Sequence, residues 1–205
     1  MSPDDVQSLF ARADGSYHFS RWARPIVPIV FGVEDETLAV VKGACEAVVA
    51  LAGHKMAELD HDQGANLFVF FFREWDELLA VPDLGGMIPD LPALIARLTA
   101  AQASSYRAFR FEQNGGIRAG FVFVRMDAAN QALSAEALAL DQMVRVMLDW
   151  GEAAFAEASP LALANGHAVM RPEIAGVIAV AYDPVMPVAA QDPSHALRLA
   201  ARLGR

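Results

Sequence analysis

The sequence predicts an α+β fold, a small mixed β-sheet packed by several helices, and three observations carry this. Leu67-Phe68-Val69-Phe70-Phe71-Phe72 is an unbroken apolar run, and its length and aromatic content suit a central strand covered on both faces. Phe109 and Phe111 alternate with Arg110 and Glu112, Asn114-Gly115-Gly116 turns the chain, and the stretch from Ile117 returns: a hairpin pattern that closes the sheet region. Helical periodicity fills the stretches around these strands. The order helix, strand, helix, strand, helix, hairpin, helices implies a mixed sheet rather than a regular β-α alternation.

The elements follow in order. Residues 3–13 read as a short helix, with Pro3 in its first turn and Asp4 and Asp5 suiting the N-terminal dipole. Residues 25–31 read as a strand. Pro28 cannot donate to a ladder, so this strand belongs at a sheet edge or bulge. Over residues 34–52, Leu38, Val41, Cys45, Val48 and Ala52 form one apolar helical stripe, and Gly53 ends it. A second edge strand is expected near 55–59, with Asp62-Gln63-Gly64 turning the chain into the central strand at 66–72. A short helix follows at 74–80, a loop containing Gly85-Gly86 at 83–89, and a helix from Asp90 to about 103 with Pro92 in its first turn. After the hairpin the chain reads as helical at 134–157, 172–182 and 193–203. The expected organisation is a single domain: 1–16 an N-terminal helical extension, 17–126 the sheet and its helices, 127–205 a helical C-terminal part.

The 205 residues are 55% hydrophobic and 20% charged, enough for a substantial core. The net charge of −9 repels phosphate backbones and anionic lipid, so neither nucleic acid nor a membrane surface is an expected partner. The one cysteine, Cys45, excludes an internal disulfide and sits on an apolar helix stripe as a buried filler. No uncharged apolar segment reaches the length of a membrane span. The polar, acidic start is no signal peptide, so the expected compartment is the cytoplasm if Met1 is the native start, and the periplasm if an export signal preceded it.

Three short signatures occur in order: Arg21-Trp22-x-x-Pro25-Ile26 running into a strand that ends at Gly32, Ala65-Asn66 opening the central strand, and Tyr182-Asp183-Pro184 followed by Met186-Pro187 and a final helix. Across about residues 17–203 this pattern resembles a bacterial family of unknown function, usually exported, with a degenerate zincin-like fold. The resemblance implies a zincin-like scaffold without its metal site. A working zincin carries two histidines four apart on one helix, a glutamate between them, and a third ligand downstream. The 134–157 helix reads Leu140-Asp141-Gln142-Met143-Val144-Arg145-Val146-Met147-Leu148, with no histidine. On this placement the family's residual Glu and Gln fall at Met143 and Val146. Leu140, Val144, Met147, Gly151 and Phe155 form an apolar stripe, with Asp141, Arg145, Asp149 and Glu152 on a solvated face.

The remaining chemistry is thin. His54, Asp60, His61 and Asp62 form the densest polar cluster and are the alternative metal or acid–base set, although their spacing matches no standard ligand pattern. His18, His167 and His195 read as surface residues. No nucleophile elbow or phosphate loop is present. Arg21, Trp22, Tyr182 and Asp183 are the ligand-binding candidates. Set against that reading, Trp22 anchors the end of the sheet, Arg21 pairs with an acid such as Asp183, and Pro184 simply stops a helix. The expected function is a non-catalytic domain binding a protein or small ligand through the former cleft, without cofactor. The alternative is a hydrolase built around His54, Asp60 and His61.

Overall fold

The computed structural model describes residues 1–62 and 64–203, and it is α+β. Helix α1 (Pro3–Ser8) leads through a two-residue strand β1 (Phe19–Ser20) to β2 (Pro28–Phe31), α2 (Asp35–Leu51) and β3 (Leu67–Phe72). A 3-10 turn at Trp75–Ala80, α3 (Leu84–Met87) and α4 (Leu91–Ala100) precede the hairpin of β4 (Ser105–Phe111) and β5 (Ile117–Arg125). The chain then forms α5 (Ala128–Gln131), α6 (Ala135–Val146), a second hairpin β6 (Leu161–Ala164) and β7 (His167–Met170), α7 (Pro172–Ala181), β8 (Ala189–Ala190) and α8 (Ser194–Leu203).

The main sheet has the order β2-β3-β5-β4. β2, β3 and β5 are parallel, and β4 runs antiparallel to β5 at one edge. β2 lies at the other edge, where Pro28 was expected to place it. Alternation along the strands splits the core in two. Leu67, Val69, Phe71, Val122 and Val124 pack towards α2, α6, α7 and α8. Phe70, Phe72, Phe121 and Phe123 pack towards the 3-10 turn and α4 through Trp75, Leu78, Leu91 and Ile95. The run at 67–72 is apolar throughout because both of its faces are covered.

Asn66 locks the entry to β2 and β3. It is fully buried; its Oδ1 accepts from the Val27 amide at 2.8 Å, and its Nδ2 donates to the Pro25 carbonyl at 2.8 Å and to Asp60 at 3.0 Å. Gly32 ends β2 at φ +80°, and a Cβ there would stand 1.9 Å from the Phe71 carbonyl oxygen, so only glycine lets the two strands separate at this point.

Several expectations are corrected. The first helix stops at Ser8, and Ala11 bridges Tyr17 instead. The strand expected from Pro25 starts at Pro28, and the edge strand at 55–59 reduces to one bridge between Met56 and Ile26. Part of the Gly85-Gly86 loop is helical. The helix expected to reach 157 ends at Val146 because tertiary pairing takes over the backbone: Leu148 bridges Arg21, the Asp149 amide donates to Ser20, and the Gly151 amide donates to Leu9. The part expected to be helical from 127 onwards contains the β6–β7 hairpin and β8. Gln63, named in the expected turn, lies outside the described residues.

Candidate functional site

Three of the four sequence candidates for ligand binding meet at the C-terminal end of α6. A helix leaves its last carbonyls without intrahelical donors. Here aromatic donors fill them, two from distant segments and one from just past the helix: Trp22 Nε1 donates to the Val146 carbonyl at 2.9 Å, the Tyr182 hydroxyl to Met147 at 2.8 Å, and Trp150 Nε1 to Val144 at 3.2 Å. The Tyr182 oxygen also accepts from the Trp22 amide at 3.3 Å. Trp22 is fully buried, and burial raises the Tyr182 hydroxyl pKa. Arg21 lies over the Tyr182 ring at 5.2 Å and donates to the Met186 carbonyl at 3.3 Å. Its expected partner Asp183 turns away to Arg202 at 3.5 Å.

The second candidate cluster divides. His54 bonds the Arg24 carbonyl at 2.9 Å and packs on Tyr182 at 5.0 Å between ring centres; burial lowers its pKa. Asp60 and Asp62 instead converge on Arg24, at 3.1 and 3.0 Å, and Glu112 joins them on the same guanidinium. His61 lies exposed beside them. Among the described residues no three histidine, cysteine or acidic side chains gather as metal ligands would. Cys45 is buried, and burial pushes its thiol up to about 12, away from nucleophilic use. His195, expected at the surface, is 2% exposed and bonds Tyr17 at 2.8 Å.

Sequence reasoning missed the most functional-looking feature. A cleft of about 420 Å³ lies between β4 and the segment following α6. Arg12, Arg107 and Arg145 line it, with Phe109, Asp149, Glu152 and Phe155. Arg145 pairs with Asp141 at 2.7 Å and stacks on Phe155 at 4.8 Å; Arg12 pairs with Asp149 at 2.5 Å, and His18 approaches the same carboxylate at 3.4 Å. Burial raises the Asp149 pKa despite these partners. Arg107 differs. It donates to the buried Gln142 at 2.8 Å and has no carboxylate within ion-pair distance among the described residues. Burial and the neighbouring Arg145 pull its pKa down to about 10. A desolvated guanidinium with open donors suits a carboxylate or phosphate oxygen. The three arginines are far apart in sequence, so no local motif announces them.

The molecule is thus defined as an α+β domain with an arginine-lined cleft at a sheet edge. No family model, curated protein or solved structure matches the chain, and no helix among the described residues is long and apolar enough to cross a membrane.

Proposed function

We propose that the protein is a non-catalytic binding domain, a zincin-like scaffold without metal, that takes an anionic ligand in the cleft between β4 and the end of α6. The observation that carries this reading is Arg107: a charged group drawn out of water, with no carboxylate within ion-pair distance among the described residues, and facing a cleft of ligand size. Support for the alternative, a hydrolase at His54, Asp60 and His61, is weaker. Asp60 is held by Arg24 and Asn66, and His54 by a backbone carbonyl, so neither is presented to a substrate.

Thermal melts in graded sulfate, inorganic phosphate and succinate test the reading. A ligand at a hundredfold its dissociation constant adds about 2.7 kcal/mol to the folded state. At least one anion should raise the melting temperature in a saturable way, and Arg107→Gln should abolish the rise while keeping the parent's unliganded melting temperature to within a few degrees. Equal responses from parent and variant would remove Arg107 from the site and overturn the reading.

A further inference from the structure

The cleft has a counterpart on the other face of the same strand. Arg97 and Arg110 line a second cleft of about 390 Å³, with Ile88, Asp90, Leu94 and Tyr106. β4 therefore runs between two arginine-bearing clefts: Ser105, Arg107 and Phe109 border the first, Ala108 and Arg110 the second. Arg97 carries no ion pair among the described residues, and Arg110 donates to the Met87 carbonyl at 2.5 Å. Asp90 is the acid within this second cleft.

The backbone of β4 is open along its outer side. Among the described residues β4 pairs with β5 alone in the main sheet. The Arg125 amide donates to Ser104, and the Gly120 amide points the other way, to Asn66. In an antiparallel ladder the bonded pairs alternate, so Tyr106, Ala108 and Arg110 bond inward to Phe123, Phe121 and Ala119. The amides and carbonyls of Ser105, Arg107 and Phe109 then face outward. That stretch spans about 17 Å, the length of a five-residue strand.

We propose that an extended acidic peptide adds to the open edge of β4, with two neighbouring acidic side chains entering the two clefts, one on each face. The proposal rests on the anion reading of the first cleft and extends it. A strand added at an edge gains main-chain bonds, and its successive side chains point to opposite faces. Adjacent acids therefore meet Arg107 and Arg97 from one backbone. A second copy of this chain is disfavoured at the same edge, because pairing β4 with β4 would bring the arginines of two edges together.

Fluorescence polarisation tests this with a labelled Thr-Val-Glu-Glu-Val-Thr peptide. A Thr-Glu-Val-Glu-Val-Thr peptide controls for charge, since both of its acids fall on one face. A third peptide, N-methylated at alternate residues, cannot complete the ladder. The first peptide should bind at least roughly tenfold more tightly than either control. Arg97→Gln should weaken it by a similar factor and leave the anion response of the parent unchanged, whereas Arg107→Gln loses both. Ser105→Pro supplies a second variant: its amide faces outward, so the sheet keeps its ladder and its melting temperature while peptide binding falls. If succinate or phosphate binds but the three peptides bind alike or not at all, edge pairing is overturned and the cleft reading survives. If neither anion nor peptide binds, both fall. A single-stranded oligonucleotide competing as well as the peptide, or concentration-dependent dimers blocked by Ser105→Pro, would overturn the choice of occupant.

Discussion

Trp22 illustrates how a residue that draws attention in the sequence is used in the fold. It fills the junction between the sheet and α6, and its indole N–H is one of the donors to the helix's last carbonyls. Trp22→Ala should cost about 3–5 kcal/mol. Trp22→Phe keeps the bulk but strands the Val146 carbonyl, at about 1–3 kcal/mol. Thermal melts check both; a loss below about 2 °C for the alanine variant would contradict the anchor role. His195 gives a pH-dependent expectation. Burial lowers its pKa from 6.5 to about 4, so the unfolded chain binds more protons between those values. Stability from this group is complete above pH 6.5 and is lost as pH falls towards 4, by as much as about 3 kcal/mol. His54 acts in the same direction, while the raised value of Asp149 opposes them. Denaturant titrations at several pH values should show a flatter acid decline in His195→Gln than in the parent.

At the level of elements, α2, β3, the β4–β5 hairpin, α7 and α8 were legible because their periodicity, glycine punctuation and prolines all agree with where they pack. α6 was legible only in part. Its apolar stripe continues through Met147, Gly151 and Phe155, yet the chain leaves the helix once Ser20, Arg21 and Leu9 offer backbone partners; no local signal encodes those partners. The β6–β7 hairpin did have a signal, Asn165-Gly166, both residues at positive φ, between short alanine-rich strands that carry little β pattern. Within α6, Val144 is fully buried and Arg145 is held by Asp141 at the rim of the cleft. Val144→Asp should cost several kcal/mol and Arg145→Ala about 1 kcal/mol or less, and equal losses in denaturant titrations would contradict this burial pattern. Asn66→Ala orphans the Val27 amide and the Pro25 carbonyl and should cost about 3 kcal/mol or more by the same measurement.

Across the whole molecule, fold class came through from sequence more completely than the candidate site. The edge position of β2 and the two-faced burial of β3 follow from Pro28 and the apolar run at 67–72, whereas the order β2-β3-β5-β4 and the cleft joining Arg12, Arg107 and Arg145 are set only by the tertiary fold. The acidic net charge also concealed it, because totals average over a surface on which arginines gather at one edge. Purified protein is expected to keep less than stoichiometric zinc, iron or manganese after dialysis against chelator. The reason is that Arg24 holds Asp60 and Asp62 while His54 turns to a carbonyl. Elemental analysis with a parallel melt checks this, and roughly one equivalent of retained metal whose removal lowers the melting temperature would refute it.

The ring donors at the end of α6 also bear on the order of folding. They arrive from residue 22 on one side and residue 182 on the other, and β8 is the strand that pairs with β1. During synthesis, a chain that has not yet emitted Tyr182 leaves the Met147 carbonyl of α6 without its hydroxyl donor and Phe19–Ser20 without its β8 partner. Closure of the core on the α6 side therefore waits for the arrival of α7 and α8. The β3–β5–β4 sheet with α4, which needs nothing beyond residue 125 for its pairing, can assemble ahead of it. Amide exchange on stalled chains of increasing length should record this as protection in β3 and β5 before protection at Val146 and Met147.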